Sequence, residues 1–241
     1  APFLIGAGVW AAIRSMKADR PDAVLGFGGY PAFPAMAAAW WLKLPRMIHE
    51  QNGVLGRVNG VFATRVHCVA CSVWPTDLPK SAHAIHTGNP VRAAIRARAA
   101  APYAAPANSE DINLVVMGGS QGASILSSVV PVALAQLPQP LKDRLHISHQ
   151  ARKADHDAVA NCYDQAGLRA AVRPFFSDIP ERLEKAHLVI SRSGASSVAD
   201  ISVIGRPSVL VPLAIAIRGE QLANARGLEG AGAAIVLEET V

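Results

Sequence analysis

The chain has 241 residues, of which 51% are hydrophobic and 17% charged, enough apolar material for two cores and too much for a disordered chain. Residues 1–107 carry eleven Lys and Arg against four Asp and Glu, and residues 108–241 carry twelve against fourteen. An anionic partner surface is therefore expected at the first half only; lipid and nucleic acid both fit the charge, and no nucleic acid is the expectation because the basic residues form no dense stripe and few aromatics interleave with them.

In the first half, strands are predicted at Ala23–Phe27, Arg46–His49 and Val66–Ala70, separated by helical stretches at Ala35–Leu42 and Leu55–Ala63. Cys68 and Cys71 form one C-x-x-C, but no second pair completes a zinc site, and VHCVAC reads as a buried strand with ordinary core thiols. Three cysteines are too few for a disulfide scaffold, so a reducing cytosol is expected. No signal peptide opens the sequence, and its longest apolar run, Phe33–Leu42, is too short to span a bilayer. Contact with a membrane surface, without crossing it, is the expectation.

Residues 93–107, rich in Ala and Pro and without an apolar period, read as a linker between an N-terminal domain over 1–92 and a C-terminal domain over 108–241. In the latter, strands are predicted at Ile112–Met117, His146–Ser148, Ala171–Arg173, Leu188–Ser191, Val209–Val211 and Ala234–Leu237. Short β-branched runs alternating with helices indicate parallel sheets covered on both faces, hence two α/β domains. The first half has few strands for a doubly wound sheet and opens on a helix, which reads as a fragment.

Ile112–Leu126 (INLVVMGGSQGASIL) runs from a buried strand through a Gly-rich turn into an apolar helix. Such a turn aims backbone N–H groups and a positive helix end at an anion. Gly118, Gly119 and Gly122 allow close approach, and Ser120 and Gln121 add polar groups. The segment is neither a Walker A loop nor G-x-G-x-x-G. Taken alone it fits a phosphate turn and a tight turn binding nothing equally well. HLVISRSGASSVADI (187–201) repeats the build, with Asp200 placed either to accept from a ribose diol or to sit solvated. Two such corners in one domain favour a nucleotide diphosphate.

In the first half, Gly26, Gly28 and Gly29 follow one strand, and His49, Glu50, Gln51 and Asn52 close the next. Polar residues at the carboxyl ends of parallel strands mark ligand crevices. His49 and Glu50 are candidates for acid–base chemistry or for holding a loop. Arg92 offers a planar fork to a phosphate, unless it is simply solvated.

Together, GFGGYPAFPAM, IHEQNGVLGRVN, TGNPVR, VVMGGSQGAS, PFFSDI, ISRSGASSVADI, GRPSVLVPL and EQLANARGLEGAGAA occur in an order and spacing that resembles the MurG family of glycosyltransferases over nearly the whole chain. The resemblance implies a GT-B type α/β fold, two Rossmann-like parallel-sheet domains facing a cleft. It implies inverting transfer of N-acetylglucosamine from UDP-N-acetylglucosamine to lipid I, an undecaprenyl-linked muramyl-pentapeptide, giving lipid II for peptidoglycan. Neither a cofactor nor a metal is implied, and no Asp-x-Asp motif occurs. By the same resemblance Asn52 lies near sugar and acceptor, and Arg92 and Ser120 lie on the phosphate side. The backbone of Phe176 holds the uracil, Ala195, Ser196, Ser197 and Asp200 line the nucleotide, and Gln221 meets the N-acetylglucosamine hydroxyls. Phe3, Leu4, Trp10 and Trp41 match a patch that docks on the cytoplasmic face of the inner membrane, where the basic first half suits anionic lipid.

The sequence departs from that pattern. The N-terminal GGTGGH-like loop, with a histidine assigned to catalysis, has no counterpart, and the C-terminal helix that returns to the first domain has none either. Asp200 stands in place of Glu, Glu220 in place of Gln or Asp, and Arg152 in place of Gly. The rival expectations are a nucleotide-sugar-binding fragment without catalysis and a GT-B enzyme with another acceptor.

Overall fold

The computed structural model describes residues 2–119, 122–216 and 219–239. The chain divides into two units, one of residues 1–89 with 217–224 and a second of residues 90–216 with 225–241.

The first unit holds α1 (Pro2–Ala18), β1 (Val24–Gly26), α2 (Gly29–Trp41), β2 (Arg46–Glu50), α3 (Arg57–Phe62), β3 (Cys68–Cys71) and β4 (Ala84–His86). Its sheet is parallel in the order β1-β2-β3-β4. Met36, Ile48, Phe62, Val69 and Cys71 form its buried centre. α2 starts six residues before its predicted start, because Pro31 falls in the first turn, where a missing N–H is tolerated, and only Pro34 lies deeper. α3 starts at Arg57 rather than Leu55, since the Gly56 N–H is taken by Glu50 Oε2 at 2.8 Å. Three-residue β4 was not predicted: an edge strand with only Ile85 as a large apolar residue has no pattern to read.

The second unit holds α4 (Ala93–Arg96), β5 (Ile112–Met117), α5 (Ser124–Ala135), α6 (Gln139–Lys142), β6 (Leu145–Gln150), α7 (His156–Gln165) and β7 (Arg169–Arg173). It continues through α8 (Ile179–Lys185), β8 (Leu188–Ser191), α9 (Ala195–Ile204), β9 (Ser208–Leu210), α10 (Glu220–Gly230) and β10 (Ala234–Val236). The residues of α10 up to Asn224 belong to the first unit. Each predicted strand of this half is present, in a parallel sheet ordered β10-β9-β8-β5-β6-β7.

Residues 93–107, expected as a linker, pack onto the second unit. Ile95 of α4 is fully buried in its core with Val115, Leu183 and Ile201, and the Ala100 N–H donates to Val203 O at 2.8 Å. Arg98 reaches Glu181 and Glu184 of α8. With one large aliphatic side chain among many alanines, the segment lacks the period that announces an amphipathic helix.

Candidate functional site

Numbered from β5, the second sheet runs 3-2-1-4-5-6, and its order reverses between β5 and β8. Parallel α/β sheets bind ligands at the carboxyl ends of the strands flanking that reversal, where the connecting loops diverge. Both Gly-rich turns read from the sequence leave those two strands: Gly118–Gly119 follow β5, and Arg192–Gly194 follow β8. They approach each other, since a Cβ built on Gly119 lies 3.9 Å from Ser197 Oγ of α9.

Among the described residues neither following helix has a side-chain cap at its N-terminus, at Ala123 for α5 or Gly194 for α9, so backbone donors face the crevice. Gly118 cannot carry a side chain, because its Cβ would overlap Ala123 N and sit 2.6 Å from Gly122 C. Gly122 adopts φ +69°, and its Cβ would overlap Arg152 Cγ. Gly118→Ala is therefore expected to reopen the turn and cost about 2 kcal/mol of stability; an unchanged urea midpoint refutes the closeness of that turn. Ser120 and Gln121, both named from the sequence, lie outside the described residues.

Ala195, Ser196 and Ser197 form the first turn of α9, with Ser196 exposed. Asp200 is neither solvated nor free: it is nearly buried and accepts from Arg92 Nη2 at 3.0 Å. Burial raises the pKa of its carboxyl, and the Arg92 hydrogen bond and charge oppose that rise. Arg92 keeps an exposed side chain while its base joins α4, so the fork stands at the surface with one carboxylate partner.

Arg192, read as part of the second anion-facing turn, points inward instead. It is buried and donates to Val211 O, Pro212 O and Glu239 Oε2 at 3.1, 3.0 and 2.9 Å. A buried cation requires such partners, and here they strap the last strands to β8. The ring of Phe176 is buried under the Arg182 guanidinium at 4.3 Å. Phe175, not singled out from the sequence, presents an exposed ring beside it.

In the first unit, the loop after β2 is organised by Glu50. Its Oε1 accepts from Asn52 N at 3.1 Å and Asn52 Nδ2 at 3.3 Å, and its Oε2 from Gly56 N and Asn59 Nδ2, both at 2.8 Å. His49 is engaged at both nitrogens: Nδ1 lies 3.1 Å from Gln51 Nε2, and Nε2 lies 3.3 Å from Gly88 O and from Ser72 Oγ. These contacts suit the loop-holding reading of the pair. Asn52 Oδ1 accepts from Asn224 Nδ2 at 3.1 Å, and Gly53 N donates to Asn224 Oδ1 at 2.8 Å, tying the loop to the start of α10. Gln221 lies in that same first turn, and Glu220, whose carboxyl burial and then the Glu50 charge push upward, begins it. Glu50→Gln places an amide N–H₂ against two of these donors, and a loss of about 2 kcal/mol in urea denaturation is expected. A loss below about 0.5 kcal/mol contradicts that wiring.

Phe3, Leu4, Trp10 and Trp41 are all exposed, at 92%, 79%, 60% and 71%. They lie on α1 and α2, where Arg14 covers the Trp10 ring at 4.6 Å and Lys17 closes the last turn of α1. No helix among the described residues is long and apolar enough to cross a membrane. Nor do His, Cys, Asp or Glu side chains form a metal-binding group among them.

Comparison with known proteins matches these features to one family. The glycosyltransferase family 28 C-terminal domain matches residues 113–241, and the corresponding N-terminal domain matches residues 1–71. The crystal structure of Acinetobacter baumannii MurG superposes with a TM-score of 0.81 at 35% identity, over 99% of this chain and 67% of that one. The chain belongs to the MurG family, within glycosyltransferase family 28. Its fold is GT-B, two parallel-sheet α/β domains.

A relative from Methylobacterium sp. (strain 4-46), 47% identical over 100% of this chain and 66% of its own length, is named UDP-N-acetylglucosamine--N-acetylmuramyl-(pentapeptide) pyrophosphoryl-undecaprenol N-acetylglucosamine transferase. A protein of the same name from Paramagnetospirillum magneticum (strain ATCC 700264 / AMB-1) is 46% identical over 98% of this chain and 64% of its own length. The chain thus spans just under two thirds of these curated family members. At 17% identity and a TM-score of 0.61, a Listeria monocytogenes protein described as a putative UDP-N-acetylglucosamine 2-epimerase shares the fold alone.

Proposed function

We propose that the second unit binds the UDP moiety of UDP-N-acetylglucosamine, and that the chain serves transfer of N-acetylglucosamine to lipid I. The observation that carries this reading is the pair of uncapped, Gly-rich strand–helix corners on the two strands that flank the reversal of sheet order. Each directs backbone N–H donors at one crevice, and an anion there gains from both helix ends. In the reaction the acceptor 4-hydroxyl attacks the anomeric carbon and gives its proton to a general base, the bond to UDP breaks with inversion, and negative charge grows on the diphosphate. Preorganised donors at Gly119, Ala195 and the Arg92 fork would stabilise that charge as it forms. Ser120 and Gln221 are assigned by the family resemblance to the phosphate side and to the sugar hydroxyls. Asn52 belongs to the acceptor side, with Glu50 and His49 holding its loop rather than taking the proton. The exposed apolar face of α1 and α2, flanked by Arg14 and Lys17, suits peripheral docking on anionic lipid at the cytoplasmic side.

Isothermal titration of UDP-N-acetylglucosamine into the chain tests the donor site. Arg92→Ala and Asp200→Ala are expected to weaken binding by about tenfold each, the size of one charge-assisted contact. Wild-type affinity in both variants removes the site assignment. Membrane docking is read separately: Trp10→Ser with Phe3→Ser is expected to abolish most co-sedimentation with phosphatidylglycerol vesicles, and undiminished pelleting excludes that face.

A further inference from the structure

Arg152, on the turn between β6 and α7, plays no part in the reading above. Its aliphatic stem occupies the space a Cβ on Gly122 would need: Cγ overlaps that position, with Cδ at 3.1 Å and Cβ at 3.7 Å from it. The stem therefore lies directly on the Gly-rich turn that enters α5. The guanidinium is held side-on by Asp155, Nε to Oδ2 at 2.8 Å and Nη2 to Oδ1 at 3.1 Å. A guanidinium has two edges that grip an oxyanion in bidentate fashion. Asp155 occupies the Nε/Nη2 edge and fixes the plane of the group; Nη1 has no bond to Asp155, so the end-on edge is left for a second oxyanion. The side chain is 44% exposed, so that edge is reachable.

We infer that Arg152 is an additional phosphate-binding residue of this chain, an arginine pre-set by Asp155 to take a diphosphate oxygen beside Gly122. The inference rests on the donor site proposed above and adds to it a contact that the glycine of the family pattern cannot make. Because Asp155 already immobilises the side chain, less rotamer freedom is lost on binding than for an unpaired surface arginine. The ligand class is a nucleoside diphosphate, and the preference over a monophosphate should reside partly in this residue.

The experiment is calorimetric titration of UDP, UMP and uridine into the 241-residue chain and its Arg152→Met, Arg152→Gly and Arg152→Lys variants, with thermal melting of each. Arg152→Met keeps the stem over Gly122 and removes only the fork. UDP affinity is expected to fall about tenfold in Arg152→Met and Arg152→Gly, with partial recovery in Arg152→Lys and no change for uridine. The UDP-over-UMP preference should shrink in the same two variants. If wild type binds UDP and both variants match it, Arg152 carries no phosphate and the inference falls while the donor site stands. Loss in Arg152→Gly alone makes the stem a packing element and also overturns it. Should wild type bind no UDP at all, the donor site itself is refuted and the inference with it.

Discussion

Arg206→Met is expected to lower the stability of the second unit by about 4 kcal/mol, the range for removing one partner of a buried, fully engaged charge. Arg206 is 3% exposed, and its guanidinium donates to Leu183 O, Glu184 O, Gly205 O, Ala101 O and Pro102 O at distances between 2.6 and 3.2 Å. These carbonyls end α8 and α9 and belong to the segment after α4. A single cation therefore closes the negative ends of two helices and pins the 101–102 backbone to them. Burial draws its pKa below the usual guanidinium range, opposed by Glu184 and Tyr103, whose ring lies 5.6 Å away. Methionine fills the volume and removes these donors from the carbonyls. Urea denaturation measures the loss, and Arg206→Lys should recover part of it. A Met variant within about 1 kcal/mol of wild type would show that water replaces the guanidinium without penalty.

The second large effect is a loss of stability on mild acidification, centred on His149. This side chain points from β6 into the core between Ile147 and Ala151, is 0% exposed, and shares one hydrogen bond with Tyr163 Oη at 2.8 Å. Its Nε2 has no hydrogen-bond partner among the described residues. Burial lowers its pKa from 6.5 to about 4, so the folded chain refuses a proton that the unfolded chain accepts. The sign follows: above pH 6.5 both states hold a neutral imidazole and stability is at its full value. Between pH 6.5 and about 4 only the unfolded state is protonated, and stability falls as pH falls, levelling below the folded pKa. A shift of this size corresponds to about 3 kcal/mol across the window. Denaturant midpoints at about pH 7.5 and about pH 4.5, on either side of most of that window, are compared with those of His149→Leu with Tyr163→Phe to isolate the contribution. Equal pH slopes in the two proteins would assign the acid lability elsewhere.

The residues that were legible in the sequence are those whose role depends on neighbours along the chain. INLVVM followed by two glycines states its own geometry, because a β-branched run needs a sheet and a glycine pair permits the sharp entry into α5. The same holds for the turn after β8, where Leu188–Ser191 runs into Arg192-Ser193-Gly194. What adjacency cannot encode was missed or misassigned. Arg192 and Arg92 look alike as surface-prone arginines near turns. One is a buried strap to Glu239, the other an exposed partner of Asp200, and residues 47 and 108 positions away make the difference. The HEQN cluster announced a site, but that Glu50 is spent on Asn52, Gly56 and Asn59 follows only from how the loop closes on itself.

By itself the sequence determined two parallel α/β halves, the family, and the two Gly-rich strand–helix corners, since periodicity, glycine placement and motif order are properties of the chain read in line. Tertiary structure decided which charges are free. It buried Arg206 and Arg192 among carbonyls, paired Arg92 with Asp200, and laid Arg152 across Gly122. The physical reason is that desolvation and pairing act through space: a charged side chain takes its role from the dielectric and the partners that folding brings to it.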